Sequence, residues 1–188
     1  MEVDDGTARW IEAGLDELAE GGIDGVRVEV VAERLGVTKG GFYRRFKDRR
    51  ALLNAILDTW RRGRIAAIDQ QIELGGASAS ERLMSLVKLY TERVNPQGMA
   101  IELAIRQWAR SDTAAAAAVA QVDAERLEKV GALYTAMGLT EAEAQARAVL
   151  FYAFIFGQSL LFLDYPPRKR ASLIAACVRN LIDAETAA

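Results

Sequence analysis

The chain of 188 residues is 51% hydrophobic and 27% charged, the composition of an ordinary globular protein with one large core or a small module joined to a larger one. Its single cysteine, Cys177, excludes a disulfide within the chain. Because the sequence contains no histidine, it lacks the commonest general base and the ligands of di-iron bundles. We therefore expect no enzyme, no metal site and no cofactor.

Two stretches of the sequence indicate where in the cell the protein is expected. The first ten residues, MEVDDGTARW, are acidic and lack the basic and apolar regions of a signal peptide. The most apolar stretch, residues 148–163, is interrupted by Gly157-Gln158-Ser159 and falls short of the ~20 apolar residues that span a bilayer. We expect a buried helix there and a cytoplasmic protein that has no membrane partner.

The net charge of −2 conceals a basic segment between residues 34 and 64. Only Asp48 and Asp58 oppose the basic side chains there, which are Arg34, Lys39, Arg44, Arg45, Lys47, Arg49, Arg50, Arg61, Arg62 and Arg64. A local basic patch is typical of a DNA-binding module, although a solvated helix face gives the same pattern.

In chain order, apolar spacing predicts helices and no convincing strand. A first helix is indicated by Ile11, Leu15 and Leu18 and ends at Gly21-Gly22. A second, short helix begins near Val28 and stops at Gly36. A third runs from about Thr38 to Phe46, with the Thr38 hydroxyl placed to cap its first turn.

The remaining chain predicts about six longer helices. Asp48 caps the fourth helix, which ends at the linker 75–78, and the fifth carries Val94 and stops at 95–96. A short helix follows with Ile101, Ile105 and Trp108, and a long one covers about 113–137. Thr140 and Glu143 form a capping box for a helix that reaches about Asp164, and Pro166-Pro167 precede the last helix. The predicted fold class is therefore all-α, with about nine helices.

Residues 28–46 hold the most informative pattern, two short helices joined by a glycine turn. Ala32 is small where the helices approach, and Gly36 supplies a positive φ. Val31, Leu35, Val37 and Phe42 are expected to point inward. The glycines Gly40 and Gly41 cost a helix ~1 kcal/mol each relative to alanine, which is useful where the backbone must approach a partner closely.

The run AERLGVTKGGFYRRFKDRRALL, residues 32–53, resembles the DNA-binding signature of the TetR family of regulators, A-x-x-x-G-V-[ST]-x-G-x-[FL]-Y-x-x-F-x-[DS]-[KR]-x-x-L-[LI]. The resemblance covers about residues 5–55. It departs from the family at Arg45, where many members carry histidine, and at Arg27, where serine or threonine is usual.

This resemblance implies an N-terminal three-helix helix-turn-helix DNA-binding domain, residues 1–50, and a C-terminal helical ligand-binding and dimerisation domain, residues 51–188. It implies a sequence-specific transcriptional regulator, a repressor released from a palindromic operator by a small-molecule effector. The implied partners are double-stranded DNA, a second copy of the chain and a small lipophilic or aromatic effector.

The resemblance also implies which residues contact DNA. Thr38, Lys39 and Gly41 would lie closest to base edges. Tyr43 would place its hydroxyl on a phosphate, and Lys47 would bind a phosphate at the start of the fourth helix. The full implied set is Arg27, Thr38, Lys39, Gly40, Gly41, Tyr43, Arg44, Arg45 and Lys47. Arg49 and Arg50, by contrast, are expected on a solvated helix face.

A dimer surface is predicted because residues 148–156 are apolar almost all round the helix, more than one core-facing stripe requires. In the family the last two long helices of each subunit form this interface. The predicted interface is Tyr152, Ile155, Phe156, Ser159, Leu160, Leu163, Ile174, Cys177, Val178 and Leu181. A deep core within one chain is the alternative.

An effector pocket is implied by the family and fits the aromatic residues of the middle helices, although such residues are also ordinary core. The predicted lining is Trp60, Met84, Tyr90, Glu102, Arg106, Trp108, Phe151, Phe154 and Gln158.

Two other classes of function remain open. An enzyme built on glutamate, lysine or arginine chemistry is possible, but no constellation of such residues stands out. A helical protein-interaction module explains a bundle and leaves the pattern at residues 38–47 unexplained. Salt-dependent DNA binding separates that module from a regulator.

Overall fold

The computed structural model describes residues 4–91, 96–161 and 164–182. These residues form nine helices and no strand, which confirms the predicted all-α class. The helices are α1 (Asp5–Gly25), α2 (Val28–Arg34), α3 (Lys39–Tyr43), α4 (Arg49–Leu74), α5 (Ala79–Thr91), α6 (Pro96–Trp108), α7 (Thr113–Ala136), α8 (Glu141–Leu160) and α9 (Pro167–Ile182).

Side-chain caps fix several helix starts, since the first amides of a helix have no partner within it. Asp48 Oδ1 accepts from the amide of Ala51 at 2.8 Å, as predicted for the fourth helix. The capping box of Thr140 and Glu143 is confirmed at the start of α8. The predicted cap at Thr38 is wrong: Thr38 has extended backbone before α3, but its side chain makes no capping hydrogen bond.

Several predicted boundaries shift. Helix α1 is interrupted at Gly22, whose φ of 64° and ψ of −165° are not helical, and then continues to Gly25. Helix α3 covers five residues and ends before Phe46. Helix α6 begins at Pro96, ahead of the apolar residues that revealed it, because proline is tolerated at the first helical position. Val94 lies outside the described residues.

Helix α8 ends at Leu160, and Leu161 has extended backbone. The prediction that it reaches Asp164 is therefore wrong. No helix among the described residues is long and apolar enough to cross a membrane.

The chain divides into two compact units. The first comprises residues Met1–Arg64 and Asn95–Val122, and the second Ile65–Val94 and Asp123–Ala188. The sequence boundary at residue 50 divides the chain by function rather than by compactness, and it stays a prediction.

Within the first unit, α1 packs against α2 and α6. Its buried apolar side chains include Trp10, Leu18, Phe42, Ile56 and Ile105. This core holds the two short helices α2 and α3, which are too short to be stable alone.

The second unit has its own core, built from α5, α7, α8 and α9. It buries Leu83, Leu86, Val87, Val130, Leu133, Tyr134, Ala144, Ala148, Phe151, Tyr152, Ile155, Val178 and Ile182. The Tyr134 hydroxyl donates to the carbonyl oxygen of Leu181 at 2.9 Å, and burial raises the pKa of Tyr134 to about 12.

Candidate nucleic-acid interface

Phe42 is the centre of the packing that holds α3 in place. Its fully buried ring meets Trp10 of α1 edge-on at 5.4 Å between ring centroids and stacks with Phe46 at 5.4 Å. Val31 of α2 is also fully buried, so the predicted inward positions Val31 and Phe42 are confirmed. Aromatic contacts of this kind fix an orientation as well as burying area.

The turn between α2 and α3 is a hydrogen-bonded helix end. Gly36 has a φ of 65°, as predicted, and its amide donates to the carbonyl oxygen of Glu33 at 3.0 Å. The amide of Val37 donates to the carbonyl oxygen of Ala32 at 3.0 Å, which completes a Schellman motif. Val37 is 43% exposed, so its predicted inward position is wrong. Val37 follows the positive-φ residue Gly36, after α2 has ended at Arg34, and its side chain is turned toward solvent.

Two arginines of the basic segment serve the fold. Arg34 of α2 binds two glutamates of α1, with its Nε 2.5 Å from Glu17 Oε1 and its Nη2 2.6 Å from Glu20 Oε2. Those hydrogen bonds raise the pKa of Arg34. Arg49 donates through Nε to the carbonyl oxygen of Val26 and through Nη2 to that of Ile23, both at 2.5 Å. Arg49 therefore satisfies carbonyls at the end of α1.

Arg50 is also engaged, although its side chain is half exposed. Its guanidinium binds both carboxylate oxygens of Asp112, and Nη2 lies 3.2 Å from Oδ1. Arg50 is exposed, as expected for a solvated helix face, whereas Arg49 is half-buried and contacts the end of α1, so that expectation is wrong for Arg49. Their partners are 23 to 62 positions away in sequence, where helical periodicity gives no signal.

All but one of the predicted DNA-contacting residues are exposed. Tyr43 is 62% exposed, its ring rests edge-on against Phe42 at 5.1 Å, and its hydroxyl makes no hydrogen bond to any described residue. Gly41 is half-buried, and the others of the set are exposed: Arg27, Thr38, Lys39, Gly40, Tyr43, Arg44, Arg45 and Lys47.

Packing within the chain does not require the two glycines of α3. A Cβ built at Gly40 would meet Thr38 Oγ1 at 3.7 Å, and one at Gly41 would meet the Trp10 ring at 3.8 Å, both ordinary contacts. Their ~1 kcal/mol cost per residue in a helix therefore has no internal compensation. Bare backbone on this exposed side leaves room for a molecule outside the chain.

The basic residues of this surface differ in their ionic partners. Lys39 Nζ lies 2.7 Å from Glu29 Oε1, and Arg45 Nε lies 3.9 Å from Asp4 Oδ1. Arg27, Arg44 and Lys47 form no ion pair with the described residues. Sequence reasoning did not identify Glu29, which precedes the basic segment of residues 34–64 and carries no local signal that singles it out.

The residues predicted to line an effector pocket fall in both units. In the first, Trp60 and Trp108 are buried, and Glu102 is 2% exposed with Arg106 Nη2 at 3.0 Å and Arg64 Nε at 3.4 Å. In the second, Phe151 belongs to the core, and Met84 and Phe154 pack against it. Gln158 is buried and donates to the carbonyl oxygen of Ile155 at 3.3 Å. The side chain of Tyr90 lies outside the described part.

One cleft of the first unit, with a volume of about 340 Å³, lies between α1, α4 and α6. Of the predicted lining only Trp60 contributes to it, and polar side chains surround much of the rest: Glu12, Asp16, Arg64 and Gln97. The buried Trp60 Nε1 has no hydrogen-bond partner among the described residues. Gly63 also lines the cleft, and a Cβ there would meet no atom within 4 Å.

The residues predicted for a dimer interface differ in how far they are buried within their own unit. Tyr152, Ile155 and Val178 are buried in the core of their own unit, and Phe156 and Ile174 pack against that core. Leu160 is 59% exposed, and Cys177 is exposed. Leu181 is half-buried, and Leu163 and the side chain of Ser159 lie outside the described part. On α8, α9 and the described residues between them, the exposed large apolar residues outside that set are Val149, Leu150, Leu161, Tyr165 and Leu173.

Comparison with known sequences connects the helix-turn-helix to a family. The sequence profile of "Bacterial regulatory proteins, tetR family" matches residues 11–56. The Tetracycline repressor protein class A from transposon 1721, from Escherichia coli, is 46% identical over 48 residues. That match covers 26% of this chain and 22% of the repressor, so it concerns about a quarter of this chain.

Comparison with solved structures covers nearly the whole chain. A putative TetR-family transcriptional regulator from Rhodococcus sp. is 25% identical with a TM-score of 0.69, covering 95% of this chain and 98% of that one. A putative transcriptional regulator from Saccharomonospora viridis, in complex with choline, is 19% identical with a TM-score of 0.76, covering 95% and 96%. The second likeness shows a shared fold.

Proposed function

We propose that this chain belongs to the TetR family and is a cytoplasmic, sequence-specific DNA-binding transcriptional regulator that acts as a homodimeric repressor. The observation that carries the proposal is the exposed surface of α3 and its flanks. There a buried phenylalanine fixes the helix, two glycines bare its backbone, and Tyr43, Arg44 and Lys47 keep their polar groups without partners among the described residues.

The chemistry of that surface suits duplex DNA. Basic side chains and a phenolic hydroxyl bind phosphates and fix the register of a protein on the duplex, while side chains at the start of a recognition helix reach base edges. The net charge of −2 does not argue against DNA binding, because the location of the basic groups matters more than the total. Arg34, Arg49 and Arg50 are engaged within the chain, and the basic groups without ionic partners among the described residues concentrate around α3.

The test is selection of binding sites from a random duplex pool at near-physiological salt with the full chain. We expect a palindrome, and its loss when Tyr43 and Lys47 are replaced by alanine. Replacing Arg62, which pairs with Asp58 on an exposed part of α4, is the matched control and should leave selection unchanged. Weak binding without an enriched sequence, abolished by moderate salt, would support the interaction-module alternative instead.

Dimerisation belongs to the proposal because a single helix-turn-helix covers too little DNA for high specificity. The exposed apolar residues of α8 support it. Val149 and Leu150 are 54% and 57% exposed, and Leu160 follows ten or eleven positions later on the same side of the helix. A monomer rarely exposes such a row, so we propose that a second copy covers it.

Release by a small effector is the remaining part of the proposal. The cleft between α1, α4 and α6 is a candidate site, and choline bound to the Saccharomonospora viridis relative makes small polar ligands the first class to test. Glu12 would attract a cationic group, since Asp16 already pairs with Arg34 and accepts from Gln97, and Trp60 Nε1 offers a donor nearby. This cleft suits a polar effector better than the lipophilic one expected from sequence.

Effector binding is tested by operator titration in the presence of choline, ethanolamine, spermidine and, as an uncharged comparison, an aliphatic alcohol. We expect at least one of the amines to lower operator affinity about 5- to 150-fold, the usual range of allosteric coupling. Gly63→Leu should fill the cleft and abolish the response, whereas Gly63→Ala should retain it. An amine response that survives Gly63→Leu would place the site elsewhere.

A further inference from the structure

The carboxylate of Glu29 lies within the surface proposed to meet DNA. Glu29 is in the first turn of α2, and Lys39 is the first residue of α3. Lys39 Nζ lies 2.7 Å from Glu29 Oε1, and each side chain remains more than half exposed. The pair therefore joins the starting ends of the two helices of the helix-turn-helix and leaves both groups open to an approaching molecule.

The Glu29–Lys39 pair contributes little to the stability of the fold. An exposed lysine–glutamate pair contributes little to stability, because water screens it and both side chains lose freedom to form it. Helices α2 and α3 are held instead by the burial of Val31 and Phe42 and by the Arg34 contacts with Glu17 and Glu20. The role of the Glu29–Lys39 pair thus lies at the surface.

The carboxylate of Glu29 stays ionised there. The hydrogen bond from Lys39, with a further contribution from the charge of Arg27, lowers the pKa of Glu29 below its ordinary value. An ionised carboxylate repels phosphate, so Glu29 weakens the attraction of this surface for every DNA sequence alike. Sequences that offer a hydrogen-bond donor to the carboxylate recover part of that loss.

The major groove offers such a donor next to an acceptor in one base pair. Cytosine presents its N4 amino group, which glutamate accepts from, and the paired guanine presents O6 and N7, to which lysine donates. An A·T pair instead places a donor beside adenine N7 and a methyl group on thymine, which suits the ammonium less well.

We propose that Glu29 and Lys39 read one G·C base pair in each half-site as a unit, and that Glu29 is a specificity-determining residue. Lys39 donates to guanine O6 and N7 while Glu29 accepts from cytosine N4. This inference rests on the proposed DNA-binding function.

The test is binding-site selection with wild type, Glu29→Gln, Lys39→Ala and Glu33→Gln, all as full chains. Glu33 is the matched control, because it is exposed on the same helix and its carboxylate pairs with no described residue. We expect one G·C pair per half-site in the wild-type motif. Glu29→Gln should reduce its preference about 5- to 150-fold and turn it toward A·T, since glutamine binds adenine N6 and N7.

The same variants are then titrated against random DNA. Glu29→Gln should bind random DNA more tightly than wild type, because the carboxylate that it removes lies beside Lys39. The affinity of Glu33→Gln for random DNA should change less. Adding Glu29→Gln to Lys39→Ala should produce little further change at the G·C position, since coupled residues are not additive.

The outcomes separate the two proposals. If the wild type selects no motif, the proposed function fails. If the wild type selects a motif and Glu29→Gln selects the same one with unchanged preferences, the proposed function stands and the role of Glu29 is overturned. Equal losses at all positions, together with a lower melting temperature, would show a structural role and also overturn it.

Discussion

The guanidinium of Arg50, in the first turn of α4, binds both carboxylate oxygens of Asp112, the residue that precedes α7. Asp112 Oδ1 also accepts from the amides of Ala114 and Ala115, each at 3.0 Å. One carboxylate thus caps a helix and holds a side chain from the basic segment. The hydrogen bond from Arg50, aided by those amides, lowers the pKa of Asp112 to about 2 from its ordinary 3.8.

This geometry predicts a pH-dependent effect of Asp112→Asn. The amide keeps the helix cap and loses the charge, so at pH 6 it should lower the free energy of unfolding by about 0.5–1 kcal/mol. Because ionisation of Asp112 favours the folded chain above its unfolded pKa, the difference should shrink as the pH falls from 4 toward 2. Urea unfolding at pH 6, 4 and 3 measures it, and Asp112→Ala, which also removes the cap, should cost about 1–2 kcal/mol more at pH 6. A constant difference across pH would contradict the ion pair.

Arg49 is predicted to contribute to the stability of the fold. Arg49→Ala leaves the carbonyls of Ile23 and Val26 without their charged donor and should lower the free energy of unfolding by about 1–3 kcal/mol. Arg62→Ala removes an arginine of the same helix that pairs only at the surface, and should cost less than about 0.5 kcal/mol. Urea unfolding measures both variants. If they lose the same free energy of unfolding, the Arg49 hydrogen bonds contribute no more to stability than a surface ion pair.

Two glycines are predicted to respond in opposite directions. Gly63 lies inside α4 with open space where a Cβ would stand, so Gly63→Ala should raise the free energy of unfolding by up to about 1 kcal/mol. Gly36 has a φ of 65°, where alanine is strained, so Gly36→Ala should lower it by about 1 kcal/mol. Thermal unfolding of the two variants and of the wild type measures both effects. A lower free energy of unfolding for Gly63→Ala would mean that α4 is not helical there.

The oligomeric state provides a further prediction. Leu150→Glu places a charge in the exposed apolar row of α8 and should convert a dimer into a chain of 20.6 kDa, since burying an unpaired carboxylate is costly. Leu74→Glu is the matched control: Leu74 is 74% exposed at the end of α4, outside the proposed interface. Sedimentation equilibrium reports both masses. A dimer that persists in Leu150→Glu would exclude this face.

Features set by neighbouring residues were predictable from sequence. The capping box of Thr140 and Glu143, the cap at Asp48 and the positive φ of Gly36 each depend on residues within a few positions. The number of helices was predictable for the same reason, because apolar spacing and helix breakers are local signals. The Thr38 side chain shows the limit, since a residue of the right type before a helix need not make the capping bond.

Features set by distant residues were not predictable. The partners of Arg49 and Arg50 come from the end of α1 and the start of α7, so charge alone suggested solvated side chains. An apolar pattern almost all round α8 gave no indication of which side faces its own core. Tyr152 and Ile155 lie on that side, and Val149 and Leu150 lie on the exposed side.

The exposed thiol of Cys177 makes the chain convenient to label. As the sequence contains one cysteine, a maleimide dye attaches at a single defined position on α9. Leu173, one helical turn earlier, is exposed as well, so the dye would sit beside an apolar patch of α9. Mixing donor-labelled and acceptor-labelled protein would then turn chain exchange into a time-dependent energy-transfer signal, and operator DNA added to the mixture would reveal whether binding slows that exchange.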